Sequence, residues 1–560
     1  MFDNKYIADK LQTLGKLLEV NGAEESRIQE FKSGSQIVRR LEPLIGERLA
    51  AENSPALPEI SHSLQKTIED LYVTGISPLL EQLLEAIPAG VVKMLDLKGL
   101  GPKKARVIWR QMGIDNLGEL YYACVENRLV EMKGFGLKTQ EKVREAIDQL
   151  RAHEHQFLYA TLHPHAIAVL ELLQATFGED VLIALTGEMR RNLPVVSRIE
   201  LLCDPMLYKD IMLLLIRSQD YEIMTAGTDL LQVCVRNTRI HLDFLFRGID
   251  FFRDLVETTG PEPHLRELQL EGGPIFHSEE EVYARTGLPF VPPELRDQPD
   301  ILSRIQAAPL PRLIEYGDLK GILHAHSTWS DGLHTLEEMA MATRAMGLQY
   351  LGITDHSQSA TAANGLSEAR VEAQKAEIDR LNAMLHPFRI LKGIEADIRP
   401  NGDLDYNNLT LAGFDFVIAS VHTDLNMRPA PATQRILRAI RNPYTNILGH
   451  PTGRLLLARE GYSLDHRTII DACAEHGVAI ELNCSPHRMD LDWTWISYAV
   501  EKGVPIAINP DAHRKADLAH VELGIAAARK GMLTPEMTLN ARDLAEIEEF
   551  FLQKRKYRIR

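Results

Sequence analysis

Cysteine is scarce in this chain, and its scarcity excludes two things. Five cysteines in 560 residues (Cys124, Cys203, Cys234, Cys473 and Cys484), none in a close C-x-x-C pair, leave no disulfide framework and no thiolate zinc site. Scattered thiols of this kind are expected in a reducing, cytoplasmic setting. Long hydrophobic runs are missing too: none approaches the roughly 20 residues that a membrane helix requires, so no membrane partner is expected. The first stretch, MFDNKYIADKLQTLGKLLEV, lacks the apolar core of a signal peptide and is predicted to be an amphipathic helix. Positive charge is in deficit. With 62 Lys and Arg against 78 Asp and Glu, the net charge of −16 argues against broad, non-specific affinity for nucleic acid, though not against a local basic face. Hydrophobic residues make up 45% of the chain, which is ordinary for a globular protein, and the length predicts about three or four domains.

Histidine and carboxylate, by contrast, cluster strongly. His324, His326, Asp331, His356, Glu395, His422, His450, Asp511 and His513 all fall in the last 240 positions. Six short segments carry them: GILHAHSTWSDG, YLGITDHS, ILKGIEADI, FVIASVHT, NILGHPTGR and PIAINPDAH. Each is an apolar run that turns polar at its end. One such histidine would usually be a hydrogen-bonded surface or core residue, but six segments repeating the device point to metal. Imidazole and carboxylate suit zinc, manganese and iron. Nine N/O ligands exceed what one ion can use, so two or three divalent ions are expected, of the kind that activate water and clamp phosphoryl oxygens.

Stretches with helical spacing, such as 336–346 and 367–385, separate these segments, and a further apolar run at 478–482 supplies a seventh strand. Strands alternating with helices predict a parallel α/β barrel, whose chemistry sits at the C-terminal ends of the strands. Every proposed ligand falls at such an end. Arg454, in GHPTGR, is a candidate phosphate clamp because a guanidinium matches phosphate geometry, with Arg488, Arg514 and Lys515 as lesser candidates.

The N-terminal half contains an internal repeat. Leu97-Lys98-Gly99-Leu100-Gly101-Pro102-Lys103-Lys104 recurs 35 residues later as Met132-Lys133-Gly134-Phe135-Gly136-Leu137-Lys138-Thr139. Each copy lies between helix-like stretches and resembles a helix-hairpin-helix motif. The Gly-x-Gly turn lets backbone N–H groups approach a phosphate, and the next helix N-terminus favours the anion. Gly99, Gly101, Lys103, Lys104, Gly134, Gly136 and Lys138 are therefore expected to contact the DNA backbone, without reading sequence. A third stretch, Leu57-Pro58-Glu59-Ile60-Ser61-His62-Ser63-Leu64, has Glu59 and Ser61 where glycines would be needed, and is read as packing.

The segments HAHSTWSDG, TDHS, GIEADI, GHPTGR and DAH resemble the polymerase-and-histidinol-phosphatase (PHP) domain, in the form attached to bacterial family X DNA polymerases. That resemblance implies a distorted (β/α)7 barrel with a trinuclear centre of manganese or zinc, or iron. It places His324, His326, Glu395 and Asp511 on one ion, Glu395, His422 and His450 on a second, and Asp331, His356 and His513 on a third. Asp331 and His356 would then be catalytic, alongside Arg454.

Residues 180–300 resemble the palm and thumb of a family X polymerase. Residues 230–246, LLQVCVRNTRIHLDFLF, predict a hairpin around Asn237-Thr238. The family carries Gly-Ser, two arginines, an Asp-x-Asp pair and a later third aspartate, and those three carboxylates hold two magnesium ions. Here the sequence is Gly187-Glu188-Met189-Arg190-Arg191, then Arg198-Ile199-Glu200, with only Asp243 of the three aspartates kept. An arginine supplies no lone pair, and at ~4 Å its charge would repel a cation by several kcal/mol in a partly buried site. The nucleotide-side Tyr-Phe-Thr-Gly-Ser of the family is Thr258-Thr259-Gly260-Pro261-Glu262 here. Polymerase activity is expected to be lost.

The expected architecture is multidomain α/β and α+β. It comprises helical DNA-binding domains at 1–90 and 91–150, a polymerase-β-like palm and thumb at 151–295, a linker at 296–318 that overlaps the proline-rich stretch 287–313, and the PHP domain at 319–560. The expected function is a DNA-binding, metal-dependent 3′-5′ exonuclease in DNA repair, with abasic-site endonuclease or 3′-phosphatase activity as variants. A small-molecule phosphatase, a non-enzymatic DNA scaffold and a weak gap-filling polymerase are the alternatives.

Overall fold

A computed structural model describes residues 3–39, 41, 60–97, 99–151, 156–236, 238, 240–248, 250–270 and 275–556. Two compact units emerge, Met1–Gln149 and Leu150–Arg560.

The first unit is helical. Its opening helix, Asn4–Asn21, begins where the Asp3 carboxylate accepts from the Tyr6 N–H and ends at Gly22, whose φ of 85° only glycine adopts cheaply. Ile7, Leu11, Leu14 and Leu18 lie on one face, spaced for a helix, and pack into a core with Phe31, Leu64 and Leu71. The amphipathic helix expected here is thus present. Helices Ala89–Met94 and Pro102–Met112 flank the first Gly-x-Gly turn, and Leu137–Arg151 follows the second. Of the third stretch, Leu57, Pro58 and Glu59 lie outside the described residues; Ser61 caps the helix His62–Thr74 by accepting from the Leu64 N–H.

The second unit begins with a small ribbon of β1 (Phe157–Leu158) and β3 (Val195–Val196). A five-stranded sheet follows, built from β2 (Ile183–Leu185), β4 (Ile199–Cys203), β5 (Tyr221–Ala226), β6 (Leu230–Val235) and β7 (His241–Leu245) in the order β2-β4-β7-β6-β5. β6 and β7 form the expected hairpin, whose Asn237 lies outside the described residues. The parallel β4–β7 pair sets Glu200 directly opposite Asp243.

The proline-rich stretch is not a linker. Leu288, Val291, Leu295, Ile301, Leu302 and Ile305 are buried in one cluster with Val256, Leu268 and Val282 of the preceding helices, and Ile301–Ala307 is itself a helix. The apolar residues between the prolines decide this: burying each stabilises by about 1.5–3 kcal/mol, more than an extended spacer would offer.

Seven parallel strands then form the barrel: β8 (Gly321–Ile322), β9 (Tyr350–Ile353), β10 (Arg389–Asp397), β11 (Phe416–Ser420), β12 (Ile447–Leu448), β13 (Ala479–Asn483) and β14 (Ile506–Asn509). They pair in sequence order, and a bridge between Ala325 and Ala512 nearly closes the ring. The intervening helices include Leu336–Ala345 and Glu368–Leu385, close to the ranges read from spacing. Among the described residues no helix is long and apolar enough to cross a membrane.

Candidate metal centre

The barrel brings all nine sequence-selected residues to one end. His324, His356, His422, His450, Asp511 and His513 follow the last residues of β8, β9, β11, β12 and β14, and Glu395 lies near the end of β10. Parallel strands in register force this convergence, because each chain leaves the sheet at the same face. Glu395 is the hub. One oxygen, Oε2, lies 2.9 Å from His356 Nδ1, 3.5 Å from His324 Nε2 and 3.7 Å from His326 Nε2. The other, Oε1, lies 3.0 Å from His450 Nε2 and 3.2 Å from His422 Nε2. Asp511 Oδ1 faces His326 Nε2 at 3.1 Å and His324 Nε2 at 3.4 Å. Asp331 faces His356 at 3.5 Å and His513 at 3.6 Å.

Three groups have ligand atoms within 4.8 Å of one another: His324, His326 and Asp511; His356, Glu395 and His422; and His326, Asp331, His356 and His513. The partition differs from the resemblance: Glu395 is not grouped with His324 and His326, His450 is not grouped with His422, and two histidines are shared. His326 and His356 each stand between two groups, because their rings stack 4.5 Å apart and present a nitrogen to either side.

The donor set fits divalent cations. His324 Nε2, His326 Nδ1, Asp331 Oδ2 and Glu395 Oε2 are buried without a hydrogen-bond partner, a costly arrangement unless another charge satisfies them. Burial alone would push the Glu395 carboxyl up, but His422, His324 and His356 outweigh it and hold it well below the usual range. Burial would likewise lower His422, yet Glu395 and Asp397 raise it to about 9. His324 is raised well above its usual value, against burial, by Glu481, Asp511 and Glu395. Imidazole binds metal in its neutral form, so raised histidines of this kind tie metal binding to proton release.

The residues behind the ligands escaped the sequence reading. Glu481, fully buried on β13, accepts from His324 Nδ1 at 2.6 Å, Asn509 Nδ2 at 3.0 Å, the His450 N–H at 2.8 Å and Asn483 Nδ2 at 3.2 Å. Asp397 orients His422 through Nδ1 at 2.8 Å. Asp355 gathers the N–H and hydroxyl groups of Ser327 and Ser330, with Gln374, under the loop that carries Asp331. One signal was available for Glu481: a carboxylate inside the otherwise apolar run 478–482.

Arg454 is a correction. Its Nε donates to the Arg488 carbonyl at 2.8 Å, and its terminal nitrogens are taken by the Met489 carbonyl and the Asp492 carboxylate. With all three guanidinium nitrogens engaged, Arg454 staples a loop instead of presenting a phosphate clamp. Arg488, which that staple holds, is buried with Nε 3.7 Å from Asp511 Oδ2, facing the cluster. Arg514 pairs with Asp517 at 3.2 Å, and Lys515 lies 3.7 Å from Glu338.

In the palm, Arg198 Nη1 donates to Asp243 Oδ2 at 2.9 Å, and Gln232 donates to the other Asp243 oxygen at 3.1 Å. Glu200 fills a notch that Gly187 leaves open: a Cβ there would sit 1.8 Å from Glu200 Oε2. Burial first, then Asp243, raises the Glu200 carboxyl. Glu188 accepts from the Ser197 N–H at 2.8 Å and its hydroxyl at 3.0 Å.

In the helical unit, Gly99 and Gly134 adopt matching φ values of 94° and 93°, and added Cβ atoms at Gly99, Gly101, Gly134 and Gly136 would meet nothing within 4 Å. The turns are open to a ligand backbone. Lys103, Lys104 and Lys138 sit in the first turns of the helices that follow.

The PHP domain family matches residues 323–485, and the SAM-like helix-hairpin-helix tandem family matches residues 91–149. The chain is similar to the DNA polymerase/3'-5' exonuclease PolX of Bacillus subtilis (strain 168), with 32% identity over 568 residues, covering 98% of this chain and 99% of that protein. It is also similar to a probable phosphatase of Thermoanaerobacter sp. (strain X514), with 29% identity over 248 residues, covering 42% of this chain and 94% of that protein. A probable phosphatase of Edwardsiella ictaluri (strain 93-146) is 29% identical over 244 residues, again covering 42% of this chain and 94% of that protein.

Proposed function

From the premise that this chain belongs to the bacterial family X DNA polymerases that carry a PHP domain, we propose that it is a DNA-binding, metal-dependent phosphoesterase that trims 3′ ends in DNA repair and no longer polymerises. The observation that carries the reading is the hub at Glu395, where five imidazoles approach the two oxygens of one buried carboxylate. His324, His326 and Asp511 would hold one ion, and His356, Glu395 and His422, with His450, another. Asp331 and His513, between His326 and His356, would hold a third. Bound there, manganese or zinc supplies Lewis-acid stabilisation of phosphoryl charge and a water that ionises near neutral pH. The chain's own residues fix that chemistry in place. Glu481 and Asp397 set the faces of His324 and His422, and Arg488 offers a guanidinium to a phosphate oxygen beside Asp511. The direct test is Mn²⁺-dependent release of nucleotides from a 3′-recessed duplex. Purified, metal-loaded protein that leaves this DNA intact would refute the assignment.

The hairpins supply DNA. Gly99→Ala combined with Gly134→Ala forces side chains into left-handed backbone, and each lost backbone contact is worth about 1 kcal/mol. The expected result is a rise in KM for an oligonucleotide of about tenfold, while hydrolysis of a small chromogenic phosphodiester is unchanged. A phosphatase acting on metabolites has no use for these turns, so equal KM values in variant and parent would favour that alternative.

The palm is read as inactive because Arg198 occupies the Asp243 carboxylate that a magnesium ion would need. A primer-extension assay with dNTPs and Mg²⁺ or Mn²⁺ is expected to show no product. Incorporation that Asp243→Ala removes would overturn the loss.

A further inference from the structure

Lys530 ends the helix Val521–Lys530 on the outer wall of the barrel, yet its side chain is fully buried. Its ammonium pairs with Asp297 and donates to the carbonyls of Arg191, at 3.1 Å, and Glu294, at 3.3 Å. Arg191, one of the paired palm arginines, binds the same Asp297 carboxylate at 3.2 Å. A palm cation and a barrel cation therefore share one anion from the segment between them. Two flanking bonds secure the joint: Arg529 to Glu294 at 2.9 Å, and Gln298 to the Lys530 carbonyl at 2.8 Å.

The inner side of this joint leads to the metal centre. The Lys530 ammonium sits 4.7 Å from the centroid of the Trp493 ring. Trp493 and Met489 of the barrel line one small apolar cleft with Asn192, Leu193 and Pro194 of the palm. Met489 directly follows Arg488, and Arg454 holds both of their carbonyls. The barrel segment 488–493 thus has the palm loop and Lys530 behind it and the Asp511 carboxylate in front. A buried lysine left without its carboxylate costs several kcal/mol, so this joint tolerates one arrangement only.

We propose that Lys530 and Asp297 are positioning residues for the hydrolytic site: through Trp493 and Met489 they fix Arg488 against the substrate phosphate, a role that presupposes the barrel as the hydrolase. The palm, with Arg198 on its remaining aspartate, serves as the brace. Contacts between domains of one chain are ordinarily mobile, whereas buried ion pairs hold this joint, and a displacement near 1 Å at a reacting group lowers rates up to about 100-fold.

The test uses the full chain loaded with Mn²⁺, with bis(p-nitrophenyl) phosphate and a 3′-labelled single-stranded oligonucleotide as substrates. Arg488→Met is expected to lower kcat/KM on both about 30-fold, and Lys530→Met about tenfold, with bound metal unchanged. In the double variant the losses should not multiply, because both act through one guanidinium. Lys530→Arg should recover most of the rate. Asp297→Asn, which keeps the seam's volume but leaves the buried lysine unpaired, should lose about fivefold in the same parameter, and the charge-keeping Lys530→Arg guards against simple misfolding of Lys530→Met. Wild-type rates in Lys530→Met and Asp297→Asn, or multiplying losses in the double variant, would overturn the proposal. An inactive parent protein would instead overturn the hydrolase assignment, and this role with it.

Discussion

Alanine at both His324 and His326 is expected to lower Mn²⁺-dependent release of nucleotides from a 3′ end by roughly 10³-fold or more. The two imidazoles place Nε2 atoms 3.4 and 3.1 Å from the same Asp511 oxygen, and 3.5 and 3.7 Å from the same Glu395 oxygen. Removing both strips one group of all but its carboxylate, and His326 is also part of the Asp331 group, so two sites are damaged at once. The remaining carboxylates would face each other in a buried space, where like charges oppose ionisation. Metal analysis should therefore show a fall in bound Mn²⁺ parallel to the fall in rate. Either single variant should cost nearly as much as the pair, since ligands of one cluster act as a unit. Activity above a tenth of the parent's in the double variant would show that the chemistry lies elsewhere.

The convergence of the nine residues was legible in the sequence because a parallel barrel turns chain order into spatial order. A polar residue at the end of each apolar run has one place to go. Which residues share a group was less legible. The roles of His326 and His356 depend on ring stacking across the barrel mouth, and stacking is a matter of rotamer and radius that spacing does not carry. Arg454 misled for a related reason. A guanidinium near a metal motif suits phosphate, but it suits two carbonyls and a carboxylate equally well, and the strained turn around Met489, at φ 44°, supplies those acceptors. The stretch 287–313 failed through composition: prolines read as spacer, while the leucines and isoleucines between them decided the packing.

The palm shows the reverse case. Arg198 against Asp243 was foreseeable from two substituted positions, because the parallel strands that carry them pair in register. The Glu200 carboxylate in the notch above Gly187 was not, since it depends on a backbone at φ 61° leaving room for an oxygen. Arg198 and Gln232 satisfy the Asp243 carboxylate with protein donors, a stable pairing within the palm. That stability is what allows it to act as a brace.

Glu481→Gln should be the most damaging change that touches no candidate ligand's own side chain. The Glu481 carboxylate accepts four donors, from His324 and His450 after β8 and β12, Asn483 on its own strand and Asn509 on β14. By accepting a hydrogen bond from His324 Nδ1 at 2.6 Å it commits that ring to presenting Nε2 forward. A glutamine has the same shape but only one acceptor oxygen, and its amide would point N–H at N–H on one side. Either His324 loses its orienting acceptor or the His450 backbone N–H is left unpaired, at about 1–3 kcal/mol. It also removes the leading anion that holds His324 well above its usual range against burial. Loss of an orienting partner behind a metal ligand typically costs 10–100-fold in affinity or rate, and about 50-fold is expected here. Because the ligands themselves remain, a large excess of Mn²⁺ should restore much of the activity of Glu481→Gln and none of that of the His324 and His326 double variant. Equal failure to recover in both would mean that Glu481 acts on the reaction directly, and full activity without excess metal would mean that the His324 ring is held by its neighbours alone.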